Sequence, residues 1–143
     1  RQAEVISSIE NVYKWGLFRY PLKQNWYNDR VILIGDAAHP TLPFLAQGAA
    51  MAIEDSFVLA SKIFEFSNSS VAFKEFRRER FPRVQRVVLA STKNAHIFHL
   101  SNIISRKVFQ VSLRFLSKFF PHFLVKRFNW IYDHNVTNKH YSS

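Results

Sequence analysis

Apolar positions recur along this chain in several different rhythms. Val5, Ile6 and Ile9 fall at helical spacing and predict a short helix over 2–11. From Tyr13 to Tyr20 the pattern alternates, with Trp15, Leu17 and Arg19 on one side and Gly16, Phe18 and Tyr20 on the other. That alternation predicts a strand, which Pro21 stops. Val31, Ile32, Leu33 and Ile34 are an unbroken apolar run, mostly β-branched, as expected of a strand covered on both faces. A long helix is predicted over 47–66, with Ala50, Ile53, Phe57, Ala60 and Phe64 as its apolar stripe. The polar run 67–70 bounds it, and Ser70 is placed to cap a helix over 71–80 with Phe73 and Phe76 inward. Pro82 predicts a break or kink before a further helix to about His99, whose Val84, Val87, Val88, Ser91, Ala95 and Phe98 share a face. From 106 to 120 the chain is apolar nearly all round, with a narrow polar stripe of Lys107, Gln110, Arg114 and Lys118. Burial against other protein is expected there, with a membrane surface as the alternative.

Composition narrows the classes. With 143 residues, 48% hydrophobic and 16% aromatic, the chain is one domain's worth and not a disordered segment. It has no cysteine, which removes disulfides and thiolate metal sites and is compatible with a reducing compartment. No apolar run reaches membrane-span length and no secretory signal opens the chain, which starts at Arg1 and so suggests a fragment. The net charge of +10 is uneven, since residues 81–143 hold ten Lys and Arg and the single acid Asp133. Such asymmetry suits an acidic partner domain, an anionic membrane or nucleic acid, or a plain solvated surface. The apolar character of 106–120 argues against a groove that tracks phosphates, so no nucleic-acid partner is expected. His96 and His99 lie three apart on a helix, but no third ligand type accompanies them, and no metal site is expected.

The chemistry gathers between Arg30 and Asp55. Gly35 ends the apolar run and Asp36 follows, where a carboxylate past a strand can accept hydrogen bonds from sugar-type hydroxyls or simply cap a turn. Pro40 and Pro43 stiffen a loop that Gln47 and Gly48 release into the long helix. The N–H groups at that helix start, on Gln47, Gly48 and Ala49, suit negative charge. His39 is read as bracing the loop, with contact to a cofactor phosphate as the alternative. Glu54 and Asp55 are read as structural partners for an arginine, to be supplied by Arg30, Arg78 or Arg80.

Gly35-Asp36-Ala37-Ala38-His39, then Pro43, Gln47-Gly48 and Glu54-Asp55 resemble the second FAD-binding motif of class A flavoprotein aromatic hydroxylases. Ala46-Gln47-Gly48-Ala49 resembles the salicylate-hydroxylase-like branch in particular. The resemblance is specific over about 15–55, looser over 72–101, and thin at Trp130-Ile131-Tyr132-Asp133. It implies an α/β fold, the C-terminal portion of a two-domain, Rossmann-like FAD-binding monooxygenase, mostly helical after one buried strand. The implied division is 1–28 as the end of the substrate-binding region, 29–66 as the FAD motif, and 67–143 as a C-terminal helical region. Gly35, Asp36, Ala46, Gln47, Gly48 and Ala49 would bind FAD, with Asp36 on the ribityl chain. Pro43 would stand at the reactive flavin edge as the catalytic-loop residue. Ala46 replaces a glycine found in many relatives; its extra methyl group demands ordinary backbone angles, which counts against a loop shape borrowed from the glycine-bearing relatives.

The implied activity is hydroxylation of a small phenolic or related aromatic substrate with NADH or NADPH and O2. The family's glycine-rich pyrophosphate loop cannot lie within this chain, whose glycines are at 16, 35 and 48. The N-terminal part of the same protein is therefore an expected partner. A ubiquinone-type hydroxylase of the same superfamily and a non-catalytic remnant are the rival readings. The expected location is cytoplasmic, with peripheral contact to the inner membrane as the variant that the basic tail raises.

Overall fold

The computed structural model describes residues 7–14, 16–18 and 20–137. Among the described residues four helices carry the architecture: α1 Gly48–Glu65, α2 Ser69–Phe98, α3 Ile103–Phe119 and α4 Pro121–Tyr132. Two short 3-10 turns, Gly35–Ala37 and Pro43–Leu45, precede them.

The core lies where α1 and α2 pack as a hairpin under the segment that precedes them. Met51 and Val58 of α1 meet Phe76, Val84 and Val87 of α2, and Trp26 and Ala38 close the cluster. Trp26 is fully buried; its ring lies 5.5 Å from His39 and from Phe81, and its indole N–H donates to Lys23 O at 2.8 Å. The inward residues of α1 are therefore Met51, Asp55 and Val58, at helical spacing. This corrects the expected stripe, since Ile53 is 71% and Phe64 96% exposed. The helix is apolar on two sides, and periodicity alone does not say which side a partner covers.

No strand forms among the described residues, which overturns the expected buried strand over 31–34. The run makes an isolated antiparallel bridge between Tyr27 and Ile32, with Leu33 N–H donating to Trp26 O at 2.7 Å. Asn28 Oδ1 accepts from the amides of Arg30 and Val31 and closes the turn between the two arms. A ladder needs neighbours to take its alternate N–H and C=O groups, and here only the Tyr27 arm is beside it. Ile32 and Ile34 pack on the core while Val31 and Leu33 are exposed. The expected strand over 13–20 is likewise absent: the described residues there are exposed and irregular, and Trp15 and Arg19 lie outside the description. Most of the helix expected over 2–11 lies outside the described residues, and Ser8 to Asn11 are not helical.

The helix after residue 67 differs in two ways from expectation. Asn68, not Ser70, caps it, accepting from the amides of Ser70 and Val71. Pro82 does not break it, and α2 runs through as thirty residues. Proline removes the hydrogen bond to the carbonyl four residues back, but arginines on either side, Arg80 and Arg83, are each pinned to α1. These ties offset the loss and hold both turns helical.

No side chain of helix α3 is buried by the described residues, so the cover expected for its apolar face does not come from within them. It packs against α4, which docks back on α2. There Arg86 lies over the Trp130 ring at 3.9 Å, and Arg83 donates to the carbonyls of Trp130 and Ile131, both at 3.1 Å.

Candidate functional site

A buried carboxylate organises the turn that the sequence singled out. Asp55, about two turns into α1, is fully enclosed. Its Oδ2 accepts from the Gly35 amide at 3.0 Å and from His39 Nε2 at 2.6 Å, and its Oδ1 accepts from Arg80 Nε at 2.8 Å. The carboxylate can only accept, so the proton shared with His39 belongs to Nε2. The two ends of the Gly35–His39 turn are thus tied to one atom on the neighbouring helix. His39 braces the loop, buried beneath Trp26.

Glu54, the preceding residue, serves the other side. It takes a bidentate pair from Arg83 at 2.9 and 2.8 Å and an ion pair from Arg80 at 2.7 Å. Arg80 is therefore the expected arginine partner. Arg78 pairs with Glu75 at 3.3 Å instead, and Arg30 is exposed. Burial raises the pKa of both acids, but the donors outweigh it. His39, the Gly35 amide and Arg80 hold Asp55 below the ordinary carboxylate value, and Arg83 with Arg80 does the same for Glu54.

Gly35 is buried with φ +54°, and a Cβ there would stand 3.1 Å from the Ala52 Cβ. Only glycine takes that backbone without strain while the turn rests on the thin first turns of α1. Asp36, the next residue, reaches the first residue of α1. It is exposed, its carboxylate takes no hydrogen bond among the described residues, and its Oδ1 lies 3.8 Å from where a Gly48 Cβ would stand. Helix α1 starts at Gly48 with no side chain capping it, so its first N–H groups are open. A free carboxylate beside an open helix start offers an acceptor for hydroxyls and donors for an electron-rich group. This donor set fits the polyol chain and ring edge of a flavin.

The connecting loop is fixed at both ends. Ser91 Oγ, buried on α2, donates to Leu42 O at 2.7 Å, and Tyr132 OH donates to Leu45 O at 3.4 Å. Phe44 stacks on Phe98 at 5.6 Å. Pro43 is exposed at the first position of the second 3-10 turn, and Gln47 is buried ahead of α1 while Ala49 is exposed on its first turn. The sequence reading placed Ser91 and Tyr132 but not these bonds, because a hydroxyl that meets a carbonyl forty-nine or eighty-seven residues away leaves no local signal.

Ala46 takes φ 51° and ψ 33°, the left-handed conformation that glycine favours. The expectation that its methyl group forces ordinary backbone angles is therefore wrong; the loop keeps the glycine-type shape at a cost of about 1 kcal/mol. Because Ala46 is exposed, Ala46→Gly loses no packing. It is expected to raise the unfolding free energy by about 0.5–1 kcal/mol, read from the denaturant midpoint. An unchanged or lower midpoint would place Ala46 outside the left-handed region.

Comparisons with known proteins follow the same residues. The model of the FAD binding domain family matches residues 2–91. The chain is 39% identical over 99 residues to a 3-amino-4-hydroxybenzoate 2-monooxygenase of Streptomyces platensis, covering 68% of this chain and 25% of that protein. It is 40% identical over 87 residues to 3-hydroxybenzoate 6-hydroxylase 1 of Aquipseudomonas alcaligenes, covering 61% and 22%. Against 6-hydroxynicotinate 3-monooxygenase of Bordetella bronchiseptica it is 43% identical over 89 residues, covering 58% and 23%. Among solved structures, HpxO of Klebsiella pneumoniae in complex with FAD and uric acid superposes with a TM-score of 0.60 at 30% identity, covering 64% of this chain and 24% of that one. The chain thus spans about a quarter of the length of the curated relatives it matches. With the family model covering well over half of its residues, the chain belongs to the FAD binding domain family, that of the class A flavoprotein aromatic hydroxylases.

Proposed function

We propose that this chain is the part of an FAD-dependent aromatic monooxygenase that holds the ribityl chain and one edge of the flavin ring. The observation that carries the reading is the exposed, unpartnered Asp36 carboxylate beside the open start of α1 at Gly48. Asp36 accepts from ribityl hydroxyls. The amides of Gln47, Gly48 and Ala49 face the ring edge and favour negative charge there. Gly35 and Ala46 supply the two left-handed turns that set the loop, and Pro43 keeps the loop stiff so that water stays away from the reacting edge. Bound FAD supplies the redox chemistry, using NADH or NADPH and O2 to hydroxylate a small aromatic ring such as the hydroxybenzoates and hydroxynicotinate named for the relatives.

In this reading residues 1–28 close the substrate region, 29–66 are the cofactor motif, and 67–143 brace it from behind. The pyrophosphate-binding half of a two-domain, Rossmann-like fold comes from another part of the same protein, and the location is cytoplasmic. A quinone precursor in place of a benzoate-type substrate draws its support from the exposed, basic α3 alone.

Asp36→Ala in the full-length protein is expected to weaken FAD binding by about 1.5–3 kcal/mol, tenfold or more, with the fold intact. Titration of the apoprotein with FAD checks it, and an unchanged affinity would reduce Asp36 to a turn residue. The isolated 143 residues, which contain no glycine-rich phosphate loop, should purify colourless.

A further inference from the structure

Helix α3 has a surface the flavin site does not use. Its side chains are exposed along nearly its whole length, and the element it packs against is α4. Two stripes run side by side along it. Lys107, Arg114 and Lys118 share one face, and Val108, Phe115 and Phe119 share the next, each set at the same helical spacing. All six are exposed, and the Phe115 and Phe119 rings touch at 4.7 Å. Between Phe81 and Tyr132 the sequence contains no acidic residue, so nothing along this surface repels an anion.

We propose that α3 lies flat on an anionic phospholipid membrane, with its aromatic stripe in the acyl boundary and its cationic stripe among the headgroups. A wide apolar arc with aromatics, a basic polar face and modest overall hydrophobicity is the pattern of an in-plane helix. No helix among the described residues is long and apolar enough to cross a membrane, so the contact is peripheral. The family model ends at residue 91 and α3 begins at Ile103, so the model itself does not include this face. A second copy of the chain would bring its own cationic stripe to the same rim, like charge against like, on a molecule that already carries +10.

The test is sedimentation of the full-length protein with phosphatidylcholine vesicles, with and without added phosphatidylglycerol. Binding is expected only with the anionic lipid and should fall steeply as salt rises. The triple variant K107E/R114E/K118E should weaken it by about fivefold or more for each cation lost. F115S/F119S should weaken it at unchanged melting temperature, because both rings are exposed. No vesicle binding, or binding indifferent to both variants, overturns the proposal. A lower melting temperature in F115S/F119S would mean that the protein's own body covers the face. A concentration-dependent dimer abolished by F115S/F119S would mean that a second copy does, and either result overturns the proposal. No arm of the experiment reads flavin, so its failure leaves the assignment of Asp36 and Gly48 untouched.

Discussion

Asp55→Ala should unfold the chain more readily than any substitution on its surface, by about 3–5 kcal/mol. Removing one partner of a buried ionic set leaves the other uncompensated, and here two groups lose their acceptor at once. Arg80, 2% exposed, keeps only Glu54 and a long contact to Met51 O at 3.4 Å, and His39, 1% exposed, keeps no acceptor for Nε2. The Gly35 amide is freed with them, so its hydrogen-exchange protection should vanish even where the rest of the protein stays folded. A loss below about 1 kcal/mol, or a protected Gly35 amide in the variant, would show that the turn is held by something else.

The same carboxylate sets an acid limit. Asp55 and Glu54 both have folded-state pKa values below their ordinary 3.8 and 4.5. Their contribution is therefore complete above about pH 4.5 and is lost as pH falls through the lower folded values. Unfolding free energy should be level from neutral pH down to that point and then drop. In Asp55→Asn the drop should shrink to the part owed to Glu54.

Trp26→Ala is the second large effect, expected at about 3–5 kcal/mol. Trp26 is the largest of the fully buried side chains and roofs both His39 and the Phe76 and Phe81 rings of α2. The milder Trp26→Phe keeps most of the apolar volume and loses the hydrogen bond to Lys23 O, at about 1 kcal/mol. Denaturant midpoints for the two variants separate packing from hydrogen bonding, and equal losses would contradict a volume-dominated role.

The candidate site was more legible in the sequence than the fold that carries it. Gly35, Asp36 and Gly48 stand out because their chemistry is local: a glycine that ends an apolar run, an acid beyond it, a bare helix start. Asp55 and Arg80 were legible as a class, since acids inside a helix with basic residues downstream invite pairing. Their junction with His39 was not, because it depends on how α1 and α2 face each other. The run Val31–Ile34 reads as strand on composition, yet a strand is a property of neighbours, and the bridge to Tyr27 supplies one contact. In α1, Ile53 and Phe64 are as apolar as Met51 and Val58, so hydrophobicity could not rank the two sides. Pro82 misled for a similar reason, since its local cost is real but Arg80 and Arg83 anchor the helix from outside.

Because Glu54 and Asp55 are consecutive, they leave α1 about 100° apart and share Arg80 while meeting otherwise different donors: Arg83 for one, His39 and the Gly35 amide for the other. A rotation of α1 by one residue would offer His39, the Gly35 amide and Arg83 the wrong side chain, so the helix has one acceptable register and no graded series around it. For anyone building chimaeras between such proteins, His39, Glu54, Asp55, Arg80 and Arg83 are then a single inheritable unit. Crossovers that split the five should yield a misaligned Gly35–His39 turn even when every parental helix is individually sound, whereas crossovers after α2 should be tolerated as far as Arg83's hold on α4 allows.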